Sequence, residues 1–558
     1  MLGIFRQRNP AKSANDGPPP SLSPLLSPSP AQSSTTDASP DNLSKSPRPL
    51  TVSTSTSASD SASTDSTMAM SAVDVFFLTF NCAKNFVDVP VFATHLLSAL
   101  RQRSAPGGLP DLVAFSLQEI APIAYSFIGP YFLNPYLARY EDALNLAADA
   151  FNNPTGHDDR SPLPLPGKLR TSPPAYTLVR SKNVGMTAIL LFARDPLAVV
   201  DVQEAEVGFG AAEMGNKGAA GLRVLYEARD GAGSAELTFV ATHLAAMEWN
   251  LARRNANWAA IMRGLTFENP EKILKPKVVA ATSAEDDGEG GTGLEEVVRL
   301  LHDRHIEESR QMQERLHDIS VFKPSSHLFV AGDLNYRISA TSPTPNANFP
   351  SLDPESENYY PHFFPLDQLT REREAGRTLN GLSEARVDFP PTYKYDITPP
   401  SSSESNNPLE VSWKFAPHRY PSWTDRVLYL DIPPWTKALR PEARGIEVQA
   451  YNAMPVVASS DHRAVFLRVD VPVMDKEDLL LPRQDSHAEY PAEWDLDPRA
   501  KMPVAIDPEA WERRAAARQK EVMAGWSMLL GSTQEGALIV GTLALVAVSA
   551  WYLYQQWY

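Results

Sequence analysis

The sequence has a single cysteine, Cys82, and no excess of positive charge. One cysteine cannot form a disulfide within the chain, which excludes the small disulfide-stabilised secreted folds and favours a reducing compartment. The formal net charge of −16 gives no general attraction for nucleic acid. An anionic substrate would therefore need Arg and Lys residues gathered locally. The chain is 43% hydrophobic over 558 residues, which is ample for a large core.

The first 70 residues have almost no aromatic residues and many Ser, Pro and Thr residues. A segment of this composition cannot bury enough apolar surface to fold by itself, so the sequence predicts a disordered tail over residues 1–70. The apolar opening, residues 1–5, is too short for the core of a secretory signal, and none is expected.

A long uncharged apolar run occupies residues 536–554. Its length is just sufficient to cross a bilayer as a helix. The aromatic residues near its end, among them Trp551, Tyr552 and Tyr554, are typical of a membrane interface. A buried core helix is the alternative. We expect a tail anchor that leaves the rest of the protein on the cytosolic side, and the short span favours the endoplasmic reticulum.

Residues 71–471 form the predicted globular unit, and residues 472–535 a charged, proline-containing linker to the anchor. Apolar runs rich in β-branched and aromatic residues predict strands within the unit. Helical patterns lie between them, including a long amphipathic one over residues 294–319. The sequence therefore predicts an α/β domain.

Acid, amide and histidine residues stand at the ends and starts of these strand-like runs. They are Asn81, Gln118 and Glu119, His243, Asp333 and Asn335, Asp425, and Asp461 and His462. Singly, each suits a turn or a helix cap, but in layered α/β domains ligands gather where strand ends meet loops. Carboxylate and amide oxygens suit Mg²⁺, and Glu119 with Asp461 or Asn81 nearby would supply them. Histidines and spare carboxylates can handle protons, so the set indicates metal-assisted hydrolysis.

Basic residues in loops form a second group. It includes Lys217, Arg223, Arg253, Arg254, Arg337, Lys394, Arg419 and Arg463. A solvated surface charge is the alternative for about half of any such set. Lys394 and Arg419 stand beside aromatic residues near the acidic positions, a mixture that suits recognition of a polyphosphate.

Eight motifs carry a family resemblance between about Val73 and Val469. They read TFNCAKN, FSLQEI, GFGAAEMGNKGAAGLRV, FVATHLAAMEWNLARRNANW, VAGDLNYRI, FPPTYKYD, YPSWTDRVLY and SSDHRAVF. In this order they resemble the inositol polyphosphate 5-phosphatases, with GDLNYRI and PSWTDR the most specific. The SDH triplet alone marks only a broader superfamily that includes endonucleases and neutral sphingomyelinases.

The resemblance implies a four-layer, DNase I-like α/β fold, in which two mixed β-sheets pack face to face with helices outside. It implies Mg²⁺ as cofactor. Glu119 would be its main ligand, with Asn81 and Asp461 nearby.

The resemblance also implies catalytic roles. Asp333 would orient or deprotonate the attacking water, and Asn335 would hold that water and a phosphate oxygen. His462, oriented by Asp425, would stabilise or protonate the phosphate in the transition state. His243 would contact the same phosphate.

For a second ring phosphate, the resemblance points to Tyr393, Lys394 and Arg419, and Lys217 is expected in the substrate site as well. Here the chain departs from the family, because Pro417 occupies the position of a usual lysine. Lys414 would compensate from a neighbouring turn.

The expected function is Mg²⁺-dependent removal of the 5-phosphate from phosphatidylinositol 4,5-bisphosphate at a cytosolic membrane surface, giving phosphatidylinositol 4-phosphate. The expected partners are a phosphoinositide lipid and the membrane, reached through the C-terminal helix, with no nucleic acid. The alternatives are a nuclease or sphingomyelinase of the same superfamily, and an inactive phosphoinositide-binding scaffold. The scaffold predicts a lost site residue, and none is missing.

Overall fold

The computed structural model describes most of the chain beyond residue 71. The described residues are 72–104, 107–154, 161–164, 173–228, 231, 233–274, 294–398, 407–482, 490–532 and 534–557. The predicted disordered tail, residues 1–70, lies outside them.

The strands of the described chain supply its framework. They are β1 (Ala72–Asn81), β2 (Leu112–Gln118), β3 (Thr177–Val184), β4 (Thr187–Ala193), β5 (Val199–Gly208), β6 (Gly218–Glu227), β7 (Ser234–His243), β8 (Ser326–Asp333), β9 (Tyr395–Ile397), β10 (Trp413–Phe415), β11 (Asp425–Tyr429), β12 (Glu447–Ala453) and β13 (Val465–Pro472). The apolar runs that predict strands all lie in these elements, because β-branched and aromatic side chains pack well on a pleated surface.

The α-helices lie between and after the strands. They are α1 (Val89–Arg101), α2 (Ile123–Ile128), α3 (Pro130–Asn152), α4 (Leu251–Gly264), α5 (Pro270–Leu274), α6 (Leu294–Ile319), α7 (Gln368–Glu374), α8 (Pro434–Leu439), α9 (Lys476–Leu479), α10 (Ala510–Ser532) and α11 (Gln534–Trp557). The long amphipathic pattern coincides with α6.

Two large sheets carry the domain. The first has six strands in the order β12-β13-β1-β2-β4-β3, and the second has five in the order β11-β8-β7-β6-β5. Both are mixed, because β1–β2 and β7–β8 are parallel pairs among antiparallel neighbours. Two short strands, β9 and β10, pair separately. A parallel pair brings the carboxyl ends of its two strands side by side, which decides where the polar residues meet.

The sheets pack face to face between helices. Along β1, Val75 and Phe77 belong to the core between the sheets, whereas Phe80 on the other face contacts Phe92 of α1. This is the two-residue period of a strand that is buried on both faces. Phe77 meets Phe239 of β7 edge-on, with ring centroids 5.4 Å apart. Helix α4 covers the outer face of the second sheet. The predicted four-layer α/β fold is therefore confirmed.

The C-terminal part contains two long helices. Helix α10 lies within the predicted linker, residues 472–535, and packs against α2. Helix α11 follows it, and Gly536–Trp557 is long and apolar enough to cross a membrane, with a mean hydropathy of 1.9. Almost none of this span is buried against the described protein.

Candidate active site

Strand register gathers the predicted site residues at one end of both sheets. In the first sheet Asn81 lies opposite Gln118, the residue before Glu119. In the second sheet His243 lies opposite Asp333, and the antiparallel β11 places Asp425 on the other side of Asp333. The positions are far apart in the sequence, so only the sheet topology brings them together.

Asp333 lies at the centre of this cluster and is almost fully buried. Its Oδ2 accepts a hydrogen bond from Nδ2 of Asn81 at 3.0 Å, and Nε2 of His243 lies 3.2 Å from the same oxygen. Its Oδ1 accepts from the backbone N–H of Asn335 at 3.1 Å. Both carboxylate oxygens therefore have fixed directions.

The charge of Asp333 is set by its neighbours. Burial raises the pKa of this carboxyl group, but the hydrogen bond from His243 and the positive charges of His462 and Lys217 outweigh it and hold the pKa well below its usual range. Asp333 is therefore an ionised, oriented carboxylate at neutral pH.

His462 and Asp425 form a buried pair beside Asp333. Nδ1 of His462 lies 2.9 Å from Oδ2 of Asp425, and the hydroxyls of Thr392 and Thr424 donate to that same oxygen at 2.7 and 2.8 Å. Burial lowers the pKa of His462, but Asp425 raises it to about 9. The imidazole is thus protonated, with its Nε2 4.0 Å from Oδ2 of Asp333.

Lys217 and His243 form a second contact on Asp333. The Lys217 ammonium touches Nε2 of His243. Burial lowers the pKa of Lys217 to about 8, against the attraction of Asp333 and Glu119. Burial and the neighbouring Lys217 lower the pKa of His243, so its imidazole is neutral at neutral pH. The structure therefore places Lys217 against the catalytic cluster and not on the surface.

The predicted metal ligands are two partly exposed carboxylates and a buried amide. Burial raises the pKa of Glu119, but His243, Lys84 and Lys217 together lower it. The Lys84 ammonium pairs with Glu119. Two ammonium groups at one carboxylate mark a site that attracts positive charge, and its hard oxygen donors suit Mg²⁺.

Asp461 is linked to the same end of the sheet. Burial raises its pKa, but the charges of His462 and Lys394 lower it below the usual value. Nζ of Lys394 lies 2.5 Å from Oδ2 of Asp461. The hydroxyl of Ser460 donates to the carbonyl of Asn81 at 2.6 Å, which fastens the loop of Asp461 beside β1. The residues present therefore fit a cation held by oxygen ligands.

A second set of possible metal ligands consists of Asp333, Asp425 and His462, whose nearest ligand atoms lie within 4.8 Å of one another. Oδ2 of Asp425 already faces three hydrogen-bond partners, and Nδ1 of His462 is one of them. This set is better suited to proton chemistry than to holding an ion, so the set with Glu119 is preferred.

The predicted substrate residues line the approach to His462. The ring of Tyr393 lies 4.4 Å from the imidazole of His462, centroid to centroid. The guanidinium of Arg337 lies 4.4 Å from the Tyr393 ring centroid, and Nζ of Lys394 lies 5.4 Å from it. Two cations around one aromatic face beside a protonated histidine make an anion-attracting wall.

Arg419 is less free than the sequence suggests. Its Nε lies 3.4 Å from Oε1 of Glu248, a buried residue that the sequence analysis did not single out. Pro417 is exposed at the position of the usual lysine. Lys414 is exposed in β10, in register with Asp396 of β9. The cationic wall for a second phosphate therefore has one partly neutralised arginine.

Other residues of the site were missed by sequence reasoning. They are Lys84, Thr392, Thr424 and Glu248, together with Glu521 of α10, which accepts a hydrogen bond from Gly215 near Lys217. Lys84, Thr392 and Thr424 lie inside the quoted motifs, which gave the only signal. Glu521 is 306 positions from its partner, so no local pattern reveals it.

Comparison with known proteins places this chain in a family. The model of "Endonuclease/Exonuclease/phosphatase family 2" matches residues 78–468. The polyphosphatidylinositol phosphatase INP53 of Saccharomyces cerevisiae is 26% identical over 70% of this chain and 26% of its own length. The type II inositol polyphosphate 5-phosphatase 15 of Arabidopsis thaliana is 29% identical over 54% of this chain and 25% of its own length.

A solved structure resembles the fold as well. The inositol polyphosphate 5-phosphatase domain of SPsynaptojanin, in complex with inositol (1,4)-bisphosphate and calcium ion, is 19% identical, with a TM-score of 0.44 over 83% of this chain and 93% of that domain. The chain spans about a quarter of the length of the two curated relatives described above. It belongs to the endonuclease/exonuclease/phosphatase family, and the relatives described above are inositol polyphosphate 5-phosphatases and a polyphosphatidylinositol phosphatase.

Proposed function

We propose that this protein hydrolyses the 5-phosphate of phosphatidylinositol 4,5-bisphosphate, with Mg²⁺, at the cytosolic surface of a membrane. The observation that carries the proposal is the pairing of an ionised, doubly held Asp333 with a protonated His462, whose Nε2 lies 4.0 Å from the carboxylate. An acceptor and a donor at this separation can act on a water molecule and on a phosphate oxygen of one substrate.

Asp333 orients the attacking water. Asn81 and the backbone of Asn335 fix the carboxylate, so one oxygen is available to accept a water proton while the water oxygen faces phosphorus. The side chain of Asn335 is itself held, because Nη2 of Arg337 donates to its Oδ1 at 2.5 Å and its Nδ2 donates to the carbonyl of Leu244 at 3.2 Å. One amide hydrogen remains for the substrate.

His462 supplies the positive charge on the phosphate. Asp425 and its two threonine hydroxyl partners fix the imidazole with Nδ1 facing inward, so Nε2–H points toward the reacting group. The imidazolium stabilises charge as it builds on the phosphate oxygens and can give its proton as the phosphate–ring bond breaks. Lys217 and His243 lie against the same carboxylate and neutralise it from the other side.

Glu119, Asn81 and Asp461 would hold Mg²⁺. When bound, the ion would neutralise phosphate charge and polarise the scissile phosphoester. The pairing of Lys84 with Glu119 and of Lys394 with Asp461 shows that both carboxylates accept a cation.

A membrane lipid is the favoured substrate for two reasons. The relatives described above include a polyphosphatidylinositol phosphatase. The apolar span Gly536–Trp557 would hold the site at a bilayer, where a lipid substrate has a high effective concentration. The length of the span favours the endoplasmic reticulum, with the catalytic domain on the cytosolic side.

Phosphate release by the detergent-solubilised chain tests the proposal. The substrates are short-chain phosphatidylinositol 4,5-bisphosphate, phosphatidylinositol 4-phosphate and inositol 1,4,5-trisphosphate, each with Mg²⁺ or EDTA. We expect metal-dependent release from the two 5-phosphorylated compounds and none from the 4-phosphate lipid. Release from abasic DNA or sphingomyelin instead would assign the chain to another activity of the superfamily. Binding of lipid without any release would make it a scaffold.

A further inference from the structure

Helix α10 is docked on the catalytic domain along its whole length. Its buried positions recur at helical spacing: Ala510, Arg514, Ala517, Glu521, Gly525 and Leu529. Arg518 donates to the carbonyls of Phe127 and Ile128 at the end of α2, at 2.7 and 3.3 Å. The Trp511 indole N–H donates to the hydroxyl of Thr266 at 3.0 Å. The element that precedes the membrane span is therefore packed against the domain and does not hang free.

Glu521 is the centre of this contact and is fully buried. Its Oε1 accepts from the backbone N–H of Gly215 at 2.8 Å and from Nη1 of Arg514 at 2.5 Å. Its Oε2 accepts from Arg514 and Arg518 at 3.0 and 3.2 Å. Arg514 also donates to Glu206 of β5 at 3.0 Å. A buried carboxylate is tolerated only with such a set of donors, so the arrangement has a single stable geometry.

Gly215 belongs to the loop that carries Lys217 into the active site. The loop, residues 209–217, is closed by the N–H of Phe209 donating to the carbonyl of Lys217 at 3.0 Å. Gly215 lies so near the β3–β4 turn that a Cβ would come within 2.6 Å of the Gly185 nitrogen. On that side it accepts from the N–H of Met186 at 3.0 Å, and on the other it donates to Glu521.

We propose that Glu521 is a positioning residue for the reaction: by holding the N–H of Gly215 it keeps loop 209–217 in the conformation that delivers Lys217 to His243 and Asp333. The juxtamembrane helix is then part of the enzyme and not only a connection to the anchor. The proposal rests on the role of Lys217 in the proposed function.

The first test compares two glutamates of the same helix in the detergent-solubilised full chain. Glu521→Ala removes the buried acceptor, whereas Glu512→Ala changes an exposed residue that contacts Asn269 at 3.4 Å. With inositol 1,4,5-trisphosphate and Mg²⁺, we expect kcat/KM to fall roughly 10- to 100-fold for Glu521→Ala and less than twofold for Glu512→Ala. Glu521→Gln keeps an oxygen acceptor for Gly215 and should recover part of the loss. If Glu521→Ala does not fold, Glu521→Gln decides the comparison, because full activity in it would show that the charged clamp is dispensable.

A double-mutant cycle separates positioning from general stability. If Glu521 acts through Lys217, Glu521→Ala should cost less than a further twofold in a Lys217→Met background. Multiplying losses would mean that Glu521 acts elsewhere, and the proposal would be abandoned.

Hydrogen exchange supplies a readout that does not depend on activity. Amides of residues 209–217 should exchange faster in Glu521→Ala than in Glu512→Ala or wild type. Unchanged protection there would overturn the proposal even if the enzyme is active. Conversely, a wild-type protein that releases no phosphate refutes the proposed function, while the exchange comparison still decides whether Glu521 holds the loop.

Discussion

Asp425 shows how one buried residue sets the chemistry of another. It is fully buried, and its Oδ2 faces the imidazole Nδ1 of His462 and two threonine hydroxyls. The carboxylate fixes the tautomer of His462 and raises its pKa to about 9 against the effect of burial. Substituting Asp425 should therefore change the charge and orientation of His462 without removing its ring.

We predict that Asp425→Asn lowers kcat by roughly a thousandfold while leaving KM within a fewfold. The amide keeps the shape of the side chain but no longer favours the imidazolium. Steady-state phosphate release gives both constants. Asp388→Asn, on an exposed carboxylate, is the control and should behave as wild type. A wild-type kcat in Asp425→Asn would remove this pair from the mechanism.

Pro417 is a second residue with a direct test. Arg419 is drawn toward Glu248, so the wall for a second ring phosphate is weaker than the family pattern implies. We predict that Pro417→Lys, which restores the usual cation at an exposed position, lowers KM for 4,5-bisphosphorylated substrates about three- to tenfold with little change in kcat. Lys437→Ala and wild type are the references. An unchanged KM would mean that the second phosphate lies away from residue 417.

At the scale of elements, the contact between α10 and α2 depends on a glycine. A Cβ at Gly525 would lie 3.0 Å from side-chain atoms of Phe127 and Ile128 and 3.1 Å from the carbonyl oxygen of Ala124. The two helices therefore approach more closely than any larger residue allows. Gly531, near the end of the same helix, has no heavy atom within 4 Å of such a Cβ.

This difference predicts opposite effects for two glycines of one helix. Gly525→Val should destabilise the docking of α10 by about 1–3 kcal/mol, whereas Gly531→Ala should be neutral or stabilising by up to roughly 1 kcal/mol. Limited proteolysis and hydrogen exchange of α10 in the solubilised chain measure both. Equal protection in the two variants would contradict the close packing described above.

At the scale of the whole molecule, the membrane span and the docked helix separate two functions of the C-terminal part. We predict that deleting residues 536–558 releases the protein from membranes but preserves turnover of inositol 1,4,5-trisphosphate, because α10 remains. Deleting residues 510–558 should release it as well and also reduce that turnover. Fractionation and phosphate release give the two readouts. A shorter truncation that stays with membranes would refute the tail anchor.

Two buried histidines make stability depend on pH. Burial lowers the pKa of His95 and of His327 to about 4 in each case, with nearby arginines adding to the effect. Between pH 6.5 and 4 the unfolded chain binds protons that the folded chain refuses, so stability is complete above this window and falls as the pH falls through it.

We predict a loss of roughly 3 kcal/mol per histidine by pH 4, seen as a lower Tm of the solubilised chain. His327→Leu should reduce this loss, while the same change at the exposed His305 of α6 should leave the pH dependence as it is. An identical dependence in both variants would show that His327 does not contribute.

The sequence by itself determined the elements and the chemistry. Strands such as β1 and β8 announce themselves because alternating faces must both be apolar, and the acids and amides that follow them stand out against that background. The quoted motifs held every predicted site residue, and several unforeseen ones such as Thr392 and Thr424, because the loops that hold the chemistry are short and continuous in sequence.

Only the tertiary structure decided how distant segments act on one another. It set Glu248 against Arg419, and it turned a predicted linker into a docked helix that reaches the loop of Lys217. The buried face of α10 carries Arg514, Glu521 and Gly525 where an apolar stripe would normally signal packing. A charge can be buried when its partners come from elsewhere in the fold, and those partners are not visible along the chain.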